Sequence, residues 1–324
     1  MGNSMIDQKL RFSKWTRFNT YNLILKMTQF PARIHILLAR DEPLGLVIRR
    51  GPSKYVATIF WNLSYDEFQL GQWLKGKIYE RRSDLSHDGK YFIYFAMNGK
   101  WDGEAKGSWT AISRAPYLKA LAIFPRGNCW NGGGLWTKRQ KNKNYYWLNY
   151  GYGHDVLWNT TEVLRDEKFQ PSGGFGNNEC LGVYYPRLLR DGWQFKERIR
   201  VAKWQERDIF EKPLKYGWLL RKIAHAQTDP PEGKGCYWDE HELIHPKSDT
   251  QVKYPNWEWA ELDERRLVWA TEGKLFCGNI TSKRVIVTPA VYPRLTEFLH
   301  IDIQSTGQKS HCVNISHNPR NALF

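Results

Sequence analysis

The sequence predicts an all-β protein, a β-propeller or a related assembly of several antiparallel sheets with few short helices, on three observations. First, 15% of the residues are Phe, Trp or Tyr, and these stiff, flat side chains favour pleated surfaces. Second, apolar runs of strand length recur between turn residues. Third, Asn-Gly and Asp-Gly pairs, which tolerate positive φ and so favour tight hairpins, punctuate those runs.

Along the chain, residues 1–30 read as an N-terminal extension. Lys9, Arg11, Lys14, Arg17 and Lys26 leave no apolar core long enough for a signal peptide or membrane span, and Phe18 to Met27 carries helical spacing. An intracellular, cytoplasmic protein without membrane association is expected. Strands are expected at Ile34–Ala39, Leu44–Ile48, Tyr55–Trp61, Tyr91–Met97, Leu118–Phe124, Tyr145–Leu148, Cys180–Tyr185, Leu267–Ala270 and Leu275–Cys277. Most are apolar on both alternating faces, which implies strands covered on both sides and sheets stacked on one another. Asp88-Gly89 and Asn98-Gly99 bracket one strand, Asp191-Gly192 splits a pair, and Glu272-Gly273 closes another. Ser64 to Glu67 fits a capping box, but Gly71 and Gly76 argue against a helix there. A short helix is expected over Pro293–His300. Without alternation of strands and long helices, a doubly wound parallel sheet is not expected. Residues 31–300 thus read as one propeller-like domain and 301–324 as a tail, with a linker-like stretch only at Thr228–Gly235.

Ile93 to Lys100 aligns without gaps with Leu267 to Lys274, an offset of 174 residues, close to four units of the roughly 40–45 residues of a propeller blade. The run Asp84 to Tyr94 resembles the strand opening of TolB-like and WD-repeat-like β-propellers, with His87 where proline is usual. Residues 33–136 also resemble uncharacterised bacterial proteins through the runs Arg49 to Lys54, Lys75 to Glu80 and Gly132 to Trp136. These resemblances imply an architecture and no activity.

The chemistry-bearing motifs are sparse. Cys129, Cys180, Cys236, Cys277 and Cys312 are odd in number and widely spaced, which suggests free thiols rather than a disulfide framework or zinc cluster. Cys236, His241 and His245 would converge on a metal only on a helix, whereas Pro230, Pro231, Gly233, Gly235 and Pro246 mark a loop carrying surface histidines. No metal or other cofactor is expected. No Gly-x-Ser-x-Gly elbow occurs, and Gly132–Gly134 and Gly173–Gly174 fit wide turns rather than a phosphate loop. Asp239, Glu240, Glu258, Glu261 and Asp263, near Trp238, Trp257 and Trp259, could form a sugar-binding groove, or be solvated acids beside core tryptophans.

Charge is the stronger signal. Forty-eight basic residues against 33 acidic ones give a net charge of +15, which fits an anionic partner or basic residues spread over a solvated surface. Arg49, Arg50 and Lys54, then Lys75, Lys77, Arg81 and Arg82, and finally Lys138, Arg139, Lys141 and Lys143 leading into Tyr145 and Trp147, interleave cations with aromatic rings. That pattern suits a groove that tracks a nucleic-acid backbone and stacks bases; it equally suits edge strands protected by charge. The expected function is a non-enzymatic interaction module or scaffold, with a protein or an anionic polymer as partner. Direct nucleic-acid binding and a hydrolase with carboxylates in a central channel are the alternatives.

Overall fold

The computed structural model describes residues 31–288, apart from 52–53, 151–155, 175–178, 264–265 and 283–284. The segments expected to be helical at Phe18–Met27 and Pro293–His300, and the tail, lie outside the described residues. Consecutive strands form five sheets. The first holds β1 (Arg33–Leu38), β2 (Leu44–Arg50), β3 (Tyr55–Asn62) and β4 (Glu67–Lys75), and the second β5 (Lys77–Leu85), β6 (Tyr91–Met97), β7 (Ser108–Arg114) and β8 (Ala120–Pro125). The third comprises β9 (Gly134–Gln140), β10 (Lys143–Leu148) and the short β11 (Leu164–Arg165), and is followed by the helix α1 (Leu181–Arg190). The fourth runs through β12 (Gln194–Ala202), β13 (Gln205–Pro213), β14 (Leu219–Gln227), β15 (Tyr237–His245) and β16 (Thr250–Tyr254), and the fifth through β17 (Trp259–Leu262), β18 (Leu267–Thr271), β19 (Lys274–Ile280) and β20 (Val285–Thr288). Pairing is antiparallel, with bulges in several pairs, except between β10 and β11, which are parallel.

The apolar cores lie between successive sheets. Leu46 and Val56 meet Phe92 and Trp109 between the first and second; Ile93 and Ile112 meet Trp136 and Tyr146 between the second and third. Phe210 and Leu220 meet Leu267 and Trp269 between the fourth and fifth. Ile34, Val47 and Ile59 meet Val268 and Leu275, so the fifth sheet closes back on the first. Each such fully buried side chain contributes roughly 1.5–3 kcal/mol. This is the radial order of a propeller-like, multi-sheet antiparallel assembly, and it explains why β6 and β7 are buried on both faces. The fifth joint is different: α1 stands between the third and fourth sheets, packing Tyr184, Tyr185 and Leu188 into the core of the fourth and fifth.

Four sequence expectations need correction. Cys180–Tyr185 is not a strand but the entry into α1, because Leu181, Tyr184, Tyr185, Leu188 and Leu189 continue the run at helical spacing. Asp191-Gly192 therefore does not divide two strands. It stops the helix, with Gly192 at φ 89° and its N–H donating to the Leu189 carbonyl at 3.2 Å. Residues 237–245 form β15, not a loop. The offset of 174 residues joins β6 to β18, each the second strand of its sheet, across three sheets rather than four.

Candidate functional site

Strand β5 builds the centre. Its pairing with β6 jumps from Tyr79–Phe95 to Asp84–Ile93, so that five residue steps on one strand face two on the other. Such a bulge bends the strand and re-aims its side chains, and it frees carbonyls that need new donors. Arg187 of α1 supplies them, donating to the carbonyls of Glu80 (3.1 Å) and Ser83. Arg190, one helical turn on, grips Asp84 in bidentate fashion at 2.5 and 3.0 Å and also holds Asp191. Asp84 accepts in addition the backbone N–H of Trp136 at 2.8 Å, which ties the second sheet to the third.

The bulge sends Arg81 across the centre to Asp239 on β15, at 2.7 Å. Asp239 also accepts the Tyr184 hydroxyl at 2.5 Å and lies 3.7 Å from Lys222 Nζ. Lys222 is 2.7 Å from His241 Nε2, whose Nδ1 meets the Trp257 carbonyl at 2.8 Å. The carbonyl requires Nδ1 to carry the proton, so Nε2 accepts from the ammonium. Burial and Lys222 together push the His241 imidazole down to about 3, and burial pushes the Lys222 ammonium down to about 8 despite Asp239. Against burial, which would raise it, Arg81 and Lys222 hold the Asp239 carboxyl well below the usual range. His35, 2.9 Å from Arg187, is held neutral by burial and by that guanidinium.

Beside this network opens a cavity of about 860 Å³, within the roughly 300–1,000 Å³ typical of small-molecule sites. Its walls come from β1 and the following turn, from α1, and from β13, β14 and β17. Four of the six wall carboxylates are engaged at close range: Asp84 and Asp191 by Arg190, Glu261 by Lys212 at 2.6 Å and by Trp193 Nε1 at 2.8 Å, and Asp263 by Arg266 at 2.7 Å, while Asp41 and Glu42 are exposed at the mouth. On the other side of His35 a hollow of only about 60 Å³ holds Glu258, whose carboxyl is lifted by burial to about 7. That space is a few waters wide and too small for a sugar ring.

The structure divides the residues singled out in the sequence. Arg49, Arg81 and Arg82 are buried, so they form no exposed groove. Arg82 donates to the carbonyls of Cys129 and Asn131 and stacks on Tyr79 and Phe95, while Arg50 pairs with Glu80 at 2.8 Å. Lys54, Lys75 and Lys77 are exposed. Lys138, Arg139, Lys141 and Lys143 lie on the exposed β9–β10 hairpin beside half-buried Tyr145 and Trp147. There Lys138 pairs with Asp166 at 3.1 Å, and Arg139 reaches Asp88 (3.7 Å) and Asp41 (3.9 Å) at the cavity mouth. His241 is buried and not a surface histidine. It and His245 stand four residues apart on a strand, roughly 13 Å, so they share no metal, and the described residues bring together no group of three or more potential ligands. Asp239 and Trp257 are buried away from the large cavity, whereas Trp259, also buried, borders it with Glu261 and Asp263, and Trp238 stacks on His225 at 4.3 Å. Sequence reasoning missed Lys222, Arg187 and Arg190. The last two carry a legible signal, since helical spacing from Tyr184 places basic residues at Arg187 and Arg190, next to the helix stop.

A scan of family models and a search of curated proteins found no match. Among solved structures, the chain is similar to an uncharacterised protein of Listeria monocytogenes EGD-e, with TM-score 0.34, 10% identity, and 80% of this chain and 94% of that one covered. It is also similar to the GH43 protein BlXynB of Bacillus licheniformis, in two structures. One, of a mutant, has TM-score 0.32 and 9% identity, the other TM-score 0.29 and 12% identity; each covers 81% of this chain and 56% of that one. The chain thus spans little more than half the length of the GH43 protein. At such scores the likenesses carry no argument about function, and the fold rests on strand pairing and core contacts. No helix among the described residues is long and apolar enough to cross a membrane.

Proposed function

We propose that this chain is a non-enzymatic binding module that holds a small ligand in its central cavity, with the outer hairpin at Lys138–Lys143 as part of the rim. The observation that carries this reading is the state of the buried and half-buried wall carboxylates. Hydrolysis by paired carboxylates needs one that keeps its proton near neutrality and one free to act as base. Asp84, Asp191, Glu261 and Asp263 are each spent on a cation, and Arg190 and Trp136 hold the Asp84 carboxyl low although burial would raise it. Such a wall fixes and orients a ligand without transferring protons. The propeller-like arrangement of the sheets fits the same reading, since such folds offer a central site within a rigid frame.

The test is capture from a mixture. Equilibrium dialysis of the purified chain against a small-molecule extract, read by mass spectrometry, should enrich a ligand. Ser64→Trp, which puts a large ring at an exposed position of the cavity mouth, should abolish that enrichment while leaving the circular dichroism unchanged. Equal capture by both proteins would place the site elsewhere. Should the chain instead bind labelled single-stranded nucleic acid with a steep salt dependence, the hairpin would become the site.

A further inference from the structure

The cavity wall beside the first sheet holds positive charge that the fold leaves unanswered. Arg40 lies just beyond β1, in a turn docked on the β5–β6 turn: the N–H groups of Arg40 and Asp41 both donate to the His87 carbonyl, at 3.2 and 2.8 Å. The Arg40 side chain lines the cavity. Its Nε and Nη2 are buried and have no hydrogen-bond partner among the described residues, and the same holds for His87 Nδ1. Buried donors are nearly always satisfied in folded proteins, and an unsatisfied one calls for a missing acceptor.

The neighbouring acids do not supply it. Asp84 and Asp191 are taken by Arg190. Asp88 accepts from the Ser86 hydroxyl, the Lys90 N–H and Asn144, and Asp41 sits 3.9 Å from Arg139. Meanwhile the cations oppose one another. Burial and Arg190 lower Arg40 to about 10, and burial, Arg40 and Arg190 lower His87 to about 4. An anion set among these groups would reverse both effects.

We propose that Arg40, with His87 adjoining it, forms an oxyanion subsite that takes the carboxylate or phosphate end of the cavity's ligand. The inference rests on the binding-module reading and names the chemistry of what is bound. The guanidinium fork suits either group, because both present paired oxygens.

Calorimetric titration of the full chain with inorganic phosphate and, separately, acetate, at constant ionic strength, tests this. One saturable site is expected, and the stronger probe identifies the group. Arg40→Met should weaken binding by about tenfold or more, and Arg40→Lys, which keeps the charge but loses the fork, should fall between. Lys247→Met, on the exposed turn after β15, should bind as the parent does. By NMR, the His87 imidazole should titrate near 4 in the free protein and higher when saturated, with affinity for phosphate, which stays anionic there, rising as pH falls towards that value. Absence of saturable binding to the folded parent, or equal binding by the folded Arg40→Met and Arg40→Lys variants, would overturn the subsite. If Ser64→Trp blocks capture from the extract but Arg40→Met does not, the subsite is wrong and the module stands. If Ser64→Trp blocks nothing, the module reading itself fails.

Discussion

At the scale of single residues, the centre is a set of charges taken out of water and made to answer one another. Asp239 accepts from Arg81 and Tyr184 and faces the Lys222 ammonium, and of these partners Lys222 bears the burial cost most visibly. Its folded pKa of about 8 lies below its ordinary 10.5. Across that window the unfolded chain still holds the proton that the folded chain has released, so stability rises with pH from about 8 to 10.5, by on the order of 3 kcal/mol. Below 8 the full penalty is present. Urea unfolding of the parent and of Lys222→Met over that range should diverge, the variant lacking the rise; parallel profiles would contradict the assignment. This network was half legible in the sequence. Asp239 and Arg81 were both singled out, one as a groove acid and one as a surface cation. Their partnership joins positions 158 residues apart, and a charge by itself says nothing about burial.

At the scale of elements, what the sequence revealed depended on how apolar each strand is. β6, with Phe92 to Ala96 buried, coincides with its expected bounds. β12 is exposed along its whole length, and its alternating Phe195, Ile199 and Val201 are broken by Glu197, which left only a weak apolar pattern to find. β5 carries Glu80, Arg81, Arg82 and Asp84, so its charges read as solvated until the bulge turns them inward. The triple glycine after β8 was expected as a wide turn, and its physical reason is close packing against the chain's own backbone. A methyl group on Gly133, at φ 79°, would collide with the Arg82 carbonyl. Gly133→Ala should therefore cost well over the roughly 1 kcal/mol of a left-handed alanine, whereas Gly99→Ala, also at positive φ but with open space around it, should cost about that much. Thermal unfolding of the two variants separates collision from backbone preference.

At the scale of the whole molecule, the all-β class and the stacking of sheets were readable because strands buried on both faces have nowhere else to go. Closure was not, since it depends on contacts such as Ile34 with Val268, across nearly the full described length. Four of the five joints in the ring are apolar; at the third–fourth joint, the face between the third sheet and α1 is held by polar contacts, among them Arg190 to the Trp136 carbonyl at 3.0 Å and Asn149 to the Glu179 carbonyl at 3.3 Å. Solvent competes for such contacts far better than for buried hydrocarbon. The ring thus has a gate: in native-state hydrogen exchange, amides of β9 and β10 should exchange through a lower-energy partial opening, while those of β2 and β6 wait for global unfolding. Uniform protection across all five sheets would mean that the polar face is as tight as the rest.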